Sequence, residues 1–427
     1  MHVDAQVTRL PGGLRVATVR MPSVDSVAMG FWVGIGGRHE PARLNGISHY
    51  IEHLLFKGTT TRSARDISEE IEGHGGYFDA YTQEEHTCYY ARVAAKRTWD
   101  VFDVLSDMFL HPRFAAADVE KERQVILEEI AMYREQPAQH VDEMMMAALW
   151  PGHALGRPLT GTKESLQNLH RKELLAFKKS FYSTRRTVVG FAGRIEHAEA
   201  VERVRETLAS ISGQKAARIN SAAIPRKPRA MHVEKRETDQ VHLALGFRCF
   251  GRHDPRRHAA RLLSVMMGEL MSSRLFQRVR EDHGLAYAIN SGVQLYEEAG
   301  FFAIDAGLDR TRSGKALALI VSELQRACAR PPSRSELQRA KDYTTGQMLI
   351  GLENSANQLS FVGEQLLAYG HVQQPSRIIE QVETVTPEDI RIVARAIFRR
   401  SAASCAVILP SEDRHTEGAV RSALNRL

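Results

Sequence analysis

The chain has 427 residues, 43% hydrophobic and 25% charged, which predicts a soluble globular protein of two or more domains. Its 57 basic and 51 acidic residues give a net charge of +6 that is spread over the whole length. Because this excess is small and no stripe of basic and aromatic residues accompanies it, we expect no nucleic-acid binding.

Apolar alternation and helical periodicity follow one another along the first half of the chain. Strand-like alternation covers residues 14–20, 27–35 and 87–94. Helical periodicity covers residues 44–57, 64–74, 96–110, 116–134, 171–180 and 197–210. Since strands precede and separate clusters of helices, we predict an α+β fold in which each domain is a mainly antiparallel sheet covered by helices.

The predicted helix 44–57 carries the most informative motif of the chain. His49 and His53 are one helical turn apart, so both imidazoles point the same way and can share a metal ion. Glu52 lies beside them, close enough to take a proton from an attacking water molecule. This H-x-x-E-H order is the inverse of the commoner zinc-peptidase motif. On the motif alone, the alternative remains that this is a surface helix with two unrelated histidines that bind no metal.

The predicted helix 116–134 offers a third metal ligand. One stripe of this helix contains Val119, Glu122, Ile126, Glu129 and Tyr133. Buried carboxylates need a partner such as a metal ion. Glu128 points about 100° away from Glu129 on an ideal helix, so we choose Glu129 as the ligand. Glu122 is then predicted to orient a histidine or the water from outside the metal shell, with a surface or cap salt bridge as the alternative.

An internal repeat divides the chain. The motif Gly-Arg-His-Glu-Pro at 37–41 recurs as Gly-Arg-His-Asp-Pro at 251–255, an offset of 251 − 37 = 214. We therefore predict two homologous domains from an internal duplication, a catalytic zinc-binding domain at 1–211 and a non-metal-binding domain at 233–427. The segment 212–232 has basic residues and two prolines but no acidic residue, and is the predicted linker.

The repeat also tests whether the fold itself requires the polar trio. Adding 214 to the positions of His49, Glu52 and His53 leads to apolar residues, namely Leu263, Met266 and Met267. The second copy thus accepts apolar side chains where the first has two histidines and a glutamate. Polar groups on a face that can be apolar indicate a functional reason for their presence.

The cysteines and the hydropathy of the chain indicate the cellular compartment in which the protein is expected. The four cysteines are far apart and form no C-x-x-C pair, so we expect neither a disulfide scaffold nor a cysteine zinc site. The first residues do not have the pattern of a signal peptide, and we predict a cytoplasmic protein. No run of about 18 apolar residues is present, so we expect no membrane span.

The sequence resembles the pitrilysin/insulinase family of zinc peptidases, and residues 45–59 and 122–129 carry the resemblance. The second histidine and the distal glutamate are 129 − 53 = 76 residues apart, which matches the spacing in that family. The resemblance covers nearly the whole chain and is closest to short, two-domain bacterial members similar to the mitochondrial processing peptidase β subunit. It implies a zinc endopeptidase with one Zn²⁺ per chain that cleaves short or unfolded peptides, in processing or degradation. It also implies a homodimer or pairing with a related subunit.

The resemblance extends to the second half. Family members carry an Arg and a Tyr seven apart, as Arg280 and Tyr287 are here, since 287 − 280 = 7. The resemblance implies that the second domain presents this pair to the substrate carbonyl, as donors to a developing oxyanion. Without the resemblance, Arg280 could be a surface residue and Tyr287 a core residue, neither with a role in catalysis.

One departure from the family pattern concerns the predicted substrate-binding residues Asp79 and Ala80. Asp79 stands where relatives usually have Asn, and an ionised carboxylate cannot donate a hydrogen bond to a substrate carbonyl. Either Asp79 is protonated or that contact differs here.

Two rival functions remain open from the sequence. The chain could be a non-catalytic structural or partner subunit on the same fold, although such relatives typically lose zinc or base residues and all four are present here. It could also be a peptide-binding module that works with the active site of a partner chain.

Overall fold

The computed structural model describes residues 2–208, 227–228, 230–411, 413 and 415–427. Its strands are β1 (Ala5–Arg9), β2 (Arg15–Arg20), β3 (Ser26–Val33), β4 (Tyr77–Thr82), β5 (Thr87–Ala94), β6 (Thr187–Gly193), β7 (Met231–Arg236), β8 (Gln240–Phe250), β9 (Ala286–Leu295), β10 (Ala299–Asp309) and β11 (Ala403–Pro410). Most of the predicted linker 212–232 lies outside the described residues.

The helices are interspersed with the strands in both halves of the chain. They are α1 (Ile47–Leu55), α2 (Ala64–Glu72), α3 (Thr98–Leu110), α4 (Ala116–Glu135), α5 (Pro137–Leu149), α6 (Lys163–Leu166), α7 (Arg171–Phe181), α8 (His197–Thr207), α9 (Arg257–Ser264), α10 (Ser313–Ala329), α11 (Arg334–Gly351), α12 (Ser355–Tyr369), α13 (Pro375–Glu383), α14 (Pro387–Ile397) and α15 (Thr416–Arg426). None of the helices in the described part of the chain has the length and apolar character that a bilayer span requires.

Two sheets repeat one topology, and this confirms the predicted α+β fold and duplication. The first sheet has the order β1-β2-β6-β3-β5-β4, with β2 and β6 parallel and every other pair antiparallel. The second has the order β7-β11-β8-β10-β9, with β7 and β11 parallel and the rest antiparallel. Strands β2, β6, β3, β5 and β4 therefore correspond to β7, β11, β8, β10 and β9. Among the described residues, no strand pairs with the outer side of β4 or β9, the last strand of each order, so each is an open edge.

The described residues fall into two compact units that each borrow a helix. One unit spans Met1–Ile130, Arg157–Ser221 and Met348–Ser376, and the other spans Ala131–Gly156, Ala222–Gln347 and Arg377–Leu427. Helix α12 of the second half thus packs on β6 and β3 of the first sheet, and α5 of the first half packs on β11 and β8 of the second sheet. Each unit combines most of one half of the chain with a helical segment of the other.

Close packing explains how α12 fits the first sheet. The Trp32 ring on β3 is fully buried beneath this helix. A Cβ at Gly363 of α12 would lie only 2.6 Å from that ring, so glycine permits the approach. The opposite face of the sheet packs on a second apolar cluster that includes residues of α1, α3 and α4. The first sheet is therefore covered on both faces.

The observed elements differ from the predicted ones mainly at their ends. Leu44, the first residue of the predicted helix 44–57, belongs instead to a separate 3₁₀ turn at Ala42–Leu44. Gly46 then has a left-handed backbone (φ 91°), so α1 begins only at Ile47. In the first half of the chain, strands β1, β4 and β6 and helices α5 and α6 have no counterpart among the predicted elements.

Candidate metal centre

Helix α1 is anchored at its first turn by a carboxylate from outside the helix. The buried Glu40 accepts hydrogen bonds from the backbone N–H of Gly46 (2.7 Å) and of Ser48 (2.8 Å). It also accepts one from Asn45 Nδ2 (3.1 Å). An anion at this end satisfies free N–H groups and opposes the positive end of the helix dipole. Glu40 therefore helps to set the position of α1.

A contact between two glycines brings α1 against the segment that precedes α6. A Cβ at Gly46 would lie 2.8 Å from Gly161 Cα, and a Cβ at Gly161 would lie 2.6 Å from Asn45 O. Ser165 Oγ donates to the same Asn45 O at 2.7 Å. Since both glycines also have positive φ, larger residues would push the start of α1 away.

The sequence of α1 divides the helix into an apolar face and a polar face. The buried residues of the helix are Ile47, Ser48, Tyr50, Ile51, Leu54 and Leu55. The side chains of His49, Glu52 and His53 lie on the other face and are only partly buried. The ring centroids of the two histidines are 4.6 Å apart. The apolar face thus fixes the direction in which both imidazoles point.

Helix α4 brings a carboxylate to the two imidazoles. Glu129 Oε2 lies 3.7 Å from His49 Nε2 and 3.8 Å from His53 Nε2. Donor atoms of the three residues lie within 4.8 Å of one another. Two donors about 2.0–2.1 Å from a tetrahedral zinc are about 3.4 Å apart, so small side-chain movements would suffice. The neighbouring Glu128, which was not the predicted ligand, is exposed.

The state of these side chains suits a metal ion. Burial, with a smaller effect of His53, lowers the pKa of His49 to about 3, so its imidazole is neutral, as a ligand must be. Among the described residues, nothing forms a hydrogen bond to the buried Glu129 Oε2. A buried carboxylate oxygen without a partner, facing two imidazole nitrogens, fits a site for a divalent cation.

His53 is oriented by a second carboxylate on α4. Its Nδ1 lies 3.2 Å from Oε2 of Glu122, which is only 1% exposed. The other oxygen, Oε1, lies 2.8 Å from Lys57 Nζ. With Nδ1 as the donor to Glu122, the lone pair of His53 is on Nε2, the atom that faces Glu129. Lys57 balances the charge of Glu122 and was not part of the predicted site.

Glu52 has the environment of a group that exchanges protons near neutral pH. Burial is the largest cause that raises the pKa of Glu52 to about 7, and the charges of Asp79 and Glu129 raise it further. Thr82 Oγ1 donates a hydrogen bond to Glu52 Oε2, which opposes the rise. This threonine was also absent from the predicted site.

Strand β4 places Asp79 and Ala80 at the edge of the first sheet. Asp79 is exposed and accepts hydrogen bonds from Tyr77 Oη (2.7 Å) and from the backbone N–H of Ala80 (2.8 Å). Its side chain therefore acts as an acceptor, whereas an asparagine there could also donate.

The predicted catalytic pair Arg280 and Tyr287 belongs to the second compact unit. Arg280 lies in a π-helical turn, with its guanidinium 4.7 Å from the centroid of the Phe276 ring. Tyr287 is 77% exposed near the start of the edge strand β9, so it is not a core residue. Both side chains are accessible to solvent.

The described residues of the second unit contain no matching cluster. The residues at the positions offset by 214 are buried, with exposures of 1% for Leu263, 4% for Met266 and 0% for Met267. In the described part of the chain, His49, His53 and Glu129 form the one group of three or more His, Cys, Asp or Glu side chains with this spacing.

Comparison with known families gives a match in each half of the chain. Residues 15–163 match the model described as Insulinase (Peptidase family M16). Residues 168–343 match the model described as Peptidase M16 inactive domain. The half that matches the inactive domain is the half in which Leu263, Met266 and Met267 take the places of the polar trio.

Similar proteins share most of their length with this chain. An uncharacterized zinc protease of Mycobacterium leprae is 37% identical over 400 residues, which is 92% of this chain and 89% of the relative. The uncharacterized zinc protease YmxG of Bacillus subtilis is 35% identical over 403 residues, or 93% and 97% of the two chains.

Solved structures show the same fold at lower identity. A protease from Helicobacter pylori has a TM-score of 0.89 at 19% identity and covers 96% of this chain and 100% of its own. A peptidase M16 inactive domain from Pseudomonas fluorescens has a TM-score of 0.87 at 18% identity, with coverages of 96% and 98%.

Proposed function

The chain belongs to the insulinase family, peptidase family M16, and from this premise we propose that it is a zinc endopeptidase that cleaves short or unfolded peptides. The relatives that share most of its length are named zinc proteases, and the chain is a metallopeptidase. The observation that carries the finer proposal is the cluster of His49, His53 and Glu129 with the Glu52 carboxylate on the same helix.

His49, His53 and Glu129 would hold one zinc ion per chain. When bound, zinc supplies Lewis acidity, which polarises a carbonyl group and lowers the pKa of water. The chain prepares the ligands by keeping His49 neutral through burial. Glu122 keeps His53 in the tautomer whose free lone pair faces the cluster. These two features favour a cation over a proton at the site.

Glu52 would carry the proton during hydrolysis. The carboxylate accepts a proton from the water that attacks the scissile carbonyl, and it then donates this proton to the leaving amine. A pKa near neutrality suits both directions of transfer, and burial of Glu52 provides it. The residue therefore combines the roles of general base and general acid.

The open edge of the first sheet would bind the substrate. The backbone N–H of Gln83 donates to His86 O, so alternation along β4 turns the backbone groups of Phe78, Ala80 and Thr82 toward the open side. An extended peptide can add there as a further strand and replace Asp79 as acceptor for the Ala80 N–H. Backbone pairing of this kind requires a free, extended segment, which short and unfolded peptides provide and folded domains do not.

The test is metal-dependent cleavage by the purified chain alone. We expect about one zinc per chain and cleavage of an internally quenched peptide that stops with a chelator and returns with added zinc. Glu52→Gln should keep the zinc and lose at least about 100-fold in kcat, since positioned general acid–base catalysis contributes about that much or more. Glu128→Gln, an exposed change on α4, serves as the control.

Three other outcomes would contradict the proposal. Tight zinc binding without cleavage would favour the non-catalytic subunit, and cleavage only after addition of another chain would favour the peptide-binding module. Full turnover by Glu52→Gln would refute its role as base. Cleavage products of a peptide library, read by mass spectrometry, separate processing from degradation. Sedimentation measures the predicted homodimer or pairing with a related subunit.

A further inference from the structure

Thr82 connects the substrate edge of the first sheet to the carboxylate of Glu52. Its Oγ1 donates to Glu52 Oε2. The neighbouring hydroxyl, Thr87 Oγ1, is 3.4 Å away and donates instead to Ile35 O at 2.9 Å. The hydroxyl proton of Thr82 therefore forms its hydrogen bond with Glu52 and not with Thr87. Within the described residues, no hydrogen bond reaches the other oxygen, Glu52 Oε1.

Strand β4 contacts α1 at two points. The side chains of Phe78, Ala80 and Thr82 face α1. Those of Tyr77, Asp79 and Tyr81 face the other side of the sheet, where Tyr81 packs on the apolar cluster that includes Trp32. At one end of the face toward α1 the rings of Phe78 and Phe56 are 5.5 Å apart. At the other end Thr82 meets Glu52. Because Phe56 directly follows α1 and lies four residues after Glu52, the same strand contacts one side of the C-terminal half of α1 at two points.

We propose that Thr82 is a positioning residue that holds one carboxylate oxygen of Glu52 and leaves the other oxygen to exchange the proton. This inference rests on the proposed function, because it concerns the same base. A free glutamate side chain rotates about three bonds, whereas a hydrogen bond to Oε2 restricts the carboxylate to orientations in which Oε1 is accessible. Since the strand that holds the base is also the edge proposed for the peptide, binding of substrate and placement of the base share one element.

The hydroxyl of Thr82 can be removed with little change of shape. Thr82→Val keeps a β-branched side chain suited to a strand, and Thr82→Ser keeps the hydroxyl. The matched control is Thr18→Val on β2, where Thr18 Oγ1 lies 2.8 Å from His197 Nδ1. This control removes a buried strand hydroxyl in the same compact unit without touching α1.

The experiment measures kcat, KM and zinc content of the zinc-loaded full chain with the quenched peptide. We expect Thr82→Val to lose about 10-fold in kcat, part of the factor that a positioned base contributes, while KM and zinc content stay within about twofold. Thr82→Ser should recover kcat to within about threefold of wild type. Thr18→Val should match wild type in both constants.

Each contrary result has a distinct meaning. Wild-type kcat in Thr82→Val would overturn the proposal, and so would loss of zinc in that variant, because Thr82 would then act on the metal site as a whole. A serine variant as slow as the valine variant would show that the hydroxyl is not responsible. Failure of the proposed function would be seen separately, as wild-type protein that binds zinc and cleaves no peptide.

Discussion

Replacing Glu52 with glutamine in the metal-free protein should stabilise the fold, and the gain should depend on pH. Burial raises the pKa of Glu52 from 4.5 to about 7, so the folded state holds this proton more tightly than the unfolded state. The carboxyl therefore costs almost no stability well below pH 4.5, and its cost grows as the pH rises from there to 7. From these two pKa values the cost is ~1 kcal/mol near pH 5 and ~3 kcal/mol near pH 8. Glutamine removes the charge and keeps an acceptor for Thr82.

The assay is urea unfolding of chelator-treated wild type and variant at both pH values. We expect the free energy of unfolding of Glu52→Gln to exceed that of wild type by ~3 kcal/mol near pH 8, and by ~2 kcal/mol less near pH 5. Glu128→Gln on the exposed side of α4 should stay within ~0.5 kcal/mol of wild type at both values. An equal difference between Glu52→Gln and wild type at both pH values would refute the reasoning, because the effect would not come from ionisation.

Three further predictions concern the metal and the substrate. Glu129→Gln should bind zinc at least about 10-fold more weakly than Glu128→Gln in competition with a chelator, because an amide is a poorer zinc ligand than a carboxylate; equal affinities would overturn the choice of ligand. Glu122→Gln should weaken zinc binding by about 10- to 100-fold through the loss of the carboxylate that orients His53, and an unchanged affinity would count against that role. Tyr287→Phe should lower kcat on the quenched peptide by about 10-fold or more with zinc retained, if its hydroxyl donates to the oxyanion; full activity would remove it from the reaction.

The parts of the site that the sequence predicts are those set by helical geometry. His49, Glu52 and His53 share one turn of helix, and that spacing alone brings them together. The preference for Glu129 over Glu128 uses the phase of a second helix, and the structure indeed exposes Glu128 and brings Glu129 to the histidines. In both cases the apolar residues around the motif show which face is turned inward, so local periodicity is sufficient.

The parts of the site that could not be predicted from the sequence depend on contacts between segments that are distant in the chain. Lys57 and Thr82 reach the site through ion pairing and strand placement, and no spacing rule relates them to Glu122 or Glu52. Strand β4 itself was not predicted, because its inner and outer faces both mix aromatic and polar side chains, so neither reads as a buried face.

The sequence also does not predict that α5 packs in the second unit and α12 in the first, for a related reason. An amphipathic pattern indicates that a helix buries one face, but it does not indicate which sheet receives it. Glu40 shows the same limit on a smaller scale. The repeated motif that contains it revealed the duplication, yet its contacts with the start of α1 depend on the path of the chain.

The second unit serves as an internal control for how much folding stability the site costs the first unit. At the equivalent positions it buries three apolar side chains, Leu263, Met266 and Met267. In the first unit, burial instead lowers the pKa of His49 to about 3 and raises that of Glu52 to about 7. An oxygen of Glu129 there has no hydrogen-bond partner among the described residues. Each of these features opposes folding, and the duplicated topology shows that the fold does not require them. Selection for stability alone would favour the apolar version in both units, so their retention in one unit argues for catalysis there.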